Sequence, residues 1–188
     1  LLPKDPQAWF NLGNALKWKG DKRGSIEKYQ QAIQLNPNYA EAYSNLGNAL
    51  QGCGEPYEAL RNYWRGIKLA PHLVNIQLNM GNCYITIGEH RRAQKIYDMA
   101  LEIKPDFIEC YNARLFARDF MLDQTVALAQ EGRKAWASRF ADGLREDIPY
   151  ENDPDPDRKL RVGYVSADFR EHSAARSFGG VITGHSND

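Results

Sequence analysis

Six asparagines carry the most legible chemistry in the chain. Asn11, Asn45 and Asn79 stand 34 residues apart, and Asn14, Asn48 and Asn82 repeat that spacing three residues further on. A carboxamide holds both a hydrogen-bond donor and an acceptor, so it can pair with a polypeptide backbone whatever side chains that backbone carries. A row of them could grip an extended segment over many residues. Asn is also a mediocre helix former, worse than Ala by about 0.5 kcal/mol at an interior site, so six in register call for an explanation. Two readings stand side by side: a ladder that contacts a bound peptide, led by Asn11, Asn45 and Asn79, or side chains that bond across repeats or face water.

The other reactive residue types offer less. Cys53, Cys83 and Cys110 lie 30 and 27 residues apart with no CxxC pair, which matches neither a zinc site nor a disulfide framework. They read as small buried thiols and favour a reducing compartment, so the expected location is cytoplasmic. His72, His90 and His185 read as surface residues. Lys plus Arg and Asp plus Glu are equal at 24 each, so no net field draws in nucleic acid or an anionic membrane. No run approaches about 18 uninterrupted apolar residues, so no membrane span is expected.

The elements that position the asparagines follow from the same period. Gly13, Gly47 and Gly81, Tyr29, Tyr63 and Tyr97, and Pro37, Pro71 and Pro105 all recur at 34 residues. Such self-similarity marks stacked supersecondary units. Counting from Pro6, Gly is the eighth position, inside a first helix, where its cost of about 1 kcal/mol against Ala is tolerable if another helix approaches closely. Ser25, Ala59 and Ala93 at the twentieth position would serve the same contact from a second helix. Tyr at the twenty-fourth is expected to fill the space between repeats. Pro at the thirty-second ends the second helix, and Gly20, Gly54 and Gly88 mark the turn between the two.

This pattern resembles the tetratricopeptide repeat (TPR) family, including the early aromatic (Trp9, Tyr43) and the Leu/Met-Gly pair. The resemblance implies a mainly α fold, a right-handed α–α superhelix whose first helices line the inside. Residues 1–105 form the array, with full repeats at 6–37, 40–71 and 74–105. Two departures, Gln77 in place of the aromatic and Gly66 where Ala32 and Ala100 stand, are expected to weaken packing locally. Pro3 and Leu1 lie 34 residues before Pro37 and Leu35, so the chain is expected to open on the last residues of an earlier repeat. One class of TPR proteins clamps a chaperone's C-terminal carboxylate between basic side chains. Here those basic positions read Phe10, Asn75 and Asn79, and a carboxylate without cations would be desolvated unpaired, so the clamp is excluded.

Beyond Pro105 the period decays. Tyr111 and Ala127 still fit it, but Leu115 replaces Gly and Glu131 replaces the aromatic. Residues 106–146 are expected to be degenerate capping helices that cover the last open face. Residues 147–159 form a Pro/Asp-rich linker. Leu160–Ser166 then reads as a buried parallel strand, followed by a polar turn and a short helix near Ala174–Thr183. That is the opening of a doubly wound α/β domain, whose ligands sit at the carboxyl ends of strands, where Asp168 and His172 would lie.

The run from Lys159 to Phe169, with His172 shortly after, resembles the start of the catalytic region of protein O-GlcNAc transferases and SPINDLY-like relatives, bacterial type. These enzymes place TPR arrays directly before a two-lobed glycosyltransferase. The resemblance implies that residues 160–188 begin a truncated glycosyltransferase domain and that His172 is an active-site histidine, whether as a base or as an orienting hydrogen-bond partner. Arg176 and Ser177 stand where family members often carry a further His. It also implies that the asparagines at the sixth position grip acceptor peptides. The parent enzyme would use UDP-GlcNAc as donor, or GDP-fucose as in SPINDLY-type relatives, with no metal. With one strand and one helix of the catalytic lobes, the chain itself is expected to hold no cofactor and to transfer no sugar. Its expected partners are extended peptides or protein segments in the groove, with homo-oligomers also open. The competing class is a plain TPR adaptor.

Overall fold

The computed structural model of the chain describes residues 4–123 and 125–144. Among them eight α-helices follow one another: α1 (Pro6–Trp18), α2 (Lys22–Leu35), α3 (Ala40–Gly52), α4 (Pro56–Leu69), α5 (Val74–Thr86), α6 (His90–Ile103), α7 (Ile108–Asp119) and α8 (Val126–Phe140), then a short 3-10 turn at Asp142–Leu144. The linker at 147–159, the strand at Leu160–Ser166, Asp168 and His172 lie outside the described residues.

Local signals set the helix ends. Pro6 occupies the first turn of α1, where its missing N–H costs nothing, while the Asp5 carboxylate accepts the Gln7 N–H at 2.9 Å. Asp21 caps α2 in the same way through the Gly24 N–H at 2.8 Å, and the Thr125 hydroxyl caps α8 through Leu128. Gly20, Gly54 and Gly88 take φ of +88°, +83° and +79°, the left-handed turn that joins the helices of each repeat.

Within each repeat the two helices close around a tyrosine. Tyr29, Tyr63 and Tyr97 are fully buried, and each ring lies against the glycine of the facing helix. A methyl built on Gly13 would stand 2.6 Å from Tyr29 Cε1, one on Gly47 would stand 2.5 Å from Tyr63 Cε1, and one on Gly81 would overlap Tyr97. The glycines are therefore the seats of the tyrosine rings, which settles why a poor helix former recurs there.

Each second helix packs in turn on the first helix of the next repeat. At one joint the volumes are exchanged. Gly66 on α4 lies against Ile76 on α5: a Cβ built on it would stand 3.1 Å from Ile76 Cδ1 and 3.2 Å from the Ala40 carbonyl oxygen. At the neighbouring joints the corresponding pairs are Ala32 with Ala42 and Ala100 with Cys110, all buried in shared clusters. The expected weakness at Gly66 is thus offset by a larger partner, and Ile76 is buried. Gln77, the second departure, is 1% exposed and donates only a long bond (3.4 Å) to the Pro71 carbonyl, and its Oε1 has no partner.

The cap is helical, yet it closes the stack only in part. No residue of α8 is buried, Val126 is 76% exposed, and Phe116 and Phe120 on α7 are each 55% exposed. Contact between α7 and α8 is carried by Tyr111 edge-on to Phe140 at 5.4 Å and by Arg133 with Asp119 at 2.7 Å. The sequence shows the reason: with Leu115 in place of Gly and Glu131 in place of Tyr, the ring-on-glycine seat cannot form.

Candidate peptide-binding trough

The first helices α1, α3 and α5 bring the asparagines to one side of the array. Between them lies a cavity of about 270 Å³ lined by Phe10, Glu41, Ser44, Asn45, Leu73, Asn75, Ile76 and Asn79. Its lining mixes the apolar Phe10, Leu73 and Ile76 with the carboxamides of Asn45, Asn75 and Asn79, and Glu41 is the one charged side chain among them. Phe10 is held in place by Tyr39 and Tyr29, with ring centroids 4.9 and 5.9 Å away. The three positions that a carboxylate clamp would need basic, Phe10, Asn75 and Asn79, all face this cavity.

The asparagines at the ninth position are tied to the fold. Tyr29, Tyr63 and Tyr97 donate their hydroxyls to the Oδ1 atoms of Asn14, Asn48 and Asn82 at 2.8, 2.7 and 2.7 Å. Burial pushes the Tyr29 hydroxyl up to about 12 and raises Tyr63 and Tyr97 as well, so all three remain protonated donors across the physiological range. An O–H buried without an acceptor would cost about 1–3 kcal/mol, and the Tyr63 hydroxyl has a second acceptor in Gln51 Oε1 at 3.2 Å.

The sixth position is more varied. Asn45 donates from Nδ2 to Asn14 Oδ1 at 2.9 Å, a bond across the repeat boundary. Asn11 accepts from Gln7 Nε2 at 3.0 Å, and Gln7 Oε1 in turn accepts the Tyr39 hydroxyl at 2.7 Å. The Asn79 carboxamide makes no hydrogen bond among the described residues, and it lines the cavity. The cross-repeat reading has a structural counterpart in the Asn45–Asn14 bond, and Asn79 is the ladder asparagine in the cavity lining that makes no bond among the described residues. Sequence reasoning missed the tyrosine–asparagine bonds. Their signal was present, since Asn and Tyr keep a constant separation of 15 residues in all three repeats.

The remaining candidates fall away from the trough. Cys83 and Cys110 are buried, and burial raises both thiols, Cys110 to about 12, which leaves them protonated and unreactive; Cys53 is half-exposed. His72 is exposed. His90 departs from the surface reading: it is half-buried, stacked on Phe120 at 5.3 Å, with Nδ1 enclosed and unpartnered. No three His, Cys, Asp or Glu side chains gather to hold a metal among the described residues, and no described helix is long and apolar enough to cross a membrane.

Three stacked helical hairpins, each with a ring-on-glycine seat, define a solenoid of α–α repeats. Models of the tetratricopeptide repeat match residues 19–54, 40–70 and 74–107, and the chain is a TPR protein. It resembles O-GlcNAc transferases. A mutant O-GlcNAc transferase from Thermobaculum terrenum is 27% identical, with a TM-score of 0.69 over 96% of this chain and 35% of that one. This chain therefore spans about a third of that enzyme's length. The crystal structure of MamA is also 27% identical, with a TM-score of 0.62 over 71% of this chain and 75% of that one. The first TPR domain of Spaghetti (RPAP3), bound to an HSP90 peptide, shares the fold at 16% identity, with a TM-score of 0.59 over 61% of this chain and 91% of that one. Among curated proteins, none matches the sequence.

Proposed function

We propose that the chain binds extended polypeptide segments in the trough, as the acceptor-recognition region of a protein O-glycosyltransferase. The observation that carries the binding half is the cavity where the Asn45, Asn75 and Asn79 carboxamides of α3 and α5 stand beside the apolar Phe10, Leu73 and Ile76. The enzymatic half is supported by the likeness to an O-GlcNAc transferase over 96% of the chain, more than the repeats alone occupy. In that reading the parent transfers GlcNAc from UDP-GlcNAc to Ser or Thr hydroxyls of the held segment, and His172 belongs to its active site. The HSP90-type occupant of the RPAP3 domain does not suit this trough. Burying a terminal carboxylate against Phe10, Asn75, Asn79 and the Glu41 carboxylate would leave it without a counter-charge.

Two experiments test the two halves. Peptides are selected on the chain from a random displayed library, and the variant Asn11→Ala/Asn45→Ala/Asn79→Ala is compared by fluorescence anisotropy. Binding should weaken by about tenfold or more, while stability falls by only the Asn45–Asn14 and Gln7–Asn11 bonds, about 1–2 kcal/mol together. Unchanged binding would remove the ladder. For the enzyme, the full-length parent is assayed with a panel of UDP- and GDP-sugars, and no transfer with any of them would leave the adaptor reading. That second reading has one observation in its favour: MamA, at the same 27% identity, is covered over 75% of its own length.

A further inference from the structure

A second cavity, independent of the peptide-binding reading of the trough, lies between α2, α3 and α4. It measures about 540 Å³, twice the volume of the trough cavity. Tyr43, Leu46 and Leu50, all buried, floor it from α3. With about 100° between successive residues, that stripe occupies the face of α3 opposite Glu41 and Asn45, so the cavity opens away from the trough. Its charges are divided between its ends. Helices α3 and α4 run antiparallel across the turn at Gly54, which brings Glu55 to the Leu50 end and Arg65 to the Tyr43 end. Glu55 is exposed and makes no hydrogen bond or ion pair among the described residues, while Glu58 beside it is already held by Arg61. The Arg65 guanidinium stands 6.0 Å from the Tyr43 ring centroid and meets no carboxylate among the described residues. One repeat further on, the equivalents of Tyr43, Leu50, Glu58 and Arg65 are Gln77, Tyr84, Arg92 and Met99, so the next joint does not repeat this arrangement.

We infer that this cavity is a second docking site, for an extended polypeptide segment that carries a basic and an acidic residue four positions apart with an apolar residue midway. Glu55 and Arg65 are ten residues apart on α4, about 15 Å along the helix. An extended chain rises about 3.3 Å per residue and turns every second side chain to one face, so positions i, i+2 and i+4 share a face and span about 13 Å. The base then meets Glu55, the acid meets Arg65, and the apolar side chain between them rests on Leu46. Gln30 and Gln34 of α2 line the same cavity, are exposed and make no hydrogen bond among the described residues, which leaves their carboxamides for the backbone of the segment. The alternatives fit worse. A polyanion would bring its phosphates against Glu55 and Glu58, and a uniformly basic segment would meet Arg61 and Arg65.

The chain carrying Asn11→Ala/Asn45→Ala/Asn79→Ala, in which the trough ladder is removed, serves as bait for a random displayed peptide library. Selected peptides should carry the base–apolar–acid pattern. In fluorescence anisotropy, Glu55→Gln and Arg65→Gln should each weaken them by about two- to fivefold. The exchanged chain, Glu55→Arg/Arg65→Glu, should lose the parent peptide and take the same peptide with its acid and base exchanged, which no general damage to the fold would produce. Affinity should also fall as ionic strength rises, because the charges on both partners are accessible to salt. Circular dichroism melts of each variant confirm that the helices persist. No selected peptide, selected peptides without the charge pair, binding unmoved by Glu55→Gln, or an exchanged chain that takes neither peptide overturns this inference and leaves the trough reading as it was. A dimer of the chain alone in sedimentation velocity that Glu55→Gln dissociates would assign the cavity to a second copy and overturn it likewise.

Discussion

A methyl group at Gly47 would have to share space with a tyrosine ring that has no room to move. Tyr63 is 0% exposed and its Cε1 would lie 2.5 Å from the new carbon. Overpacking of this kind costs about 1–3 kcal/mol, against a helix-propensity gain of about 1 kcal/mol. Gly47→Ala is therefore expected to lower stability by up to about 2 kcal/mol in a urea titration, although Ala is the better helix former. Gln77 is the opposite case. Its Oε1 is enclosed without a partner, so Gln77→Met, similar in length and free of that oxygen, should raise stability by about 1 kcal/mol or more. The tyrosines give the array an alkaline limit. Their folded-state values are raised by burial above the ordinary value of 10.0, Tyr29 to about 12. A group raised in the folded state contributes its full stability below its unfolded pKa and loses it as the pH climbs through the folded one. Stability should hold up to about pH 10 and fall between there and pH 12, with the tyrosinate absorbance appearing together with loss of helix rather than before it.

At the scale of the helix, the array and its end differ. Helices α1 to α6 each bury the seats and rings that lock a hairpin, whereas α8 buries nothing completely. In a repeat array stability is carried by nearest-neighbour contact, so α8 should exchange its amide hydrogens well before α3 and α4 in a pulsed deuterium experiment, and a chain ending at Met121 should melt within a few degrees of the original. Protection of α8 equal to that of α3 would show that its packing had been undervalued. The helices themselves were legible from Gly13, Tyr29, Pro37 and their counterparts, because each of those residues answers a local steric demand that repeats. The quality of the cap was not. Apolar residues at helical spacing, such as Phe116, Phe120 and Val126, foretell a helix, but whether they find a partner depends on the neighbouring helix having a seat for them. The exchange of volumes at Gly66 and Ile76 was hidden for the same reason, since either residue alone looks like a defect. The bonding of the asparagines was half-visible: the residue types announced hydrogen bonding, while the partner of Asn14, Asn48 and Asn82 is a tyrosine 15 residues away across the hairpin.

Across the whole array, recognition is expected to be nearly indifferent to salt. The cavity lining carries the single charge of Glu41, so raising ionic strength across the range that screens surface charges should change the affinity for selected peptides by less than about threefold. A steep salt dependence would place the binding surface elsewhere.

The exchanged pair at the second joint also gives the array an order that cannot be shuffled. Excision of residues 40–73 would set Ala32 under Ile76, a lock too small for its key, and excision of 74–107 would set Gly66 under Cys110 and leave a hollow. Repeats that look interchangeable by their shared glycines and tyrosines are thus addressed to particular neighbours, and duplication or loss of a unit in this lineage would have to be followed by a second change at the seam.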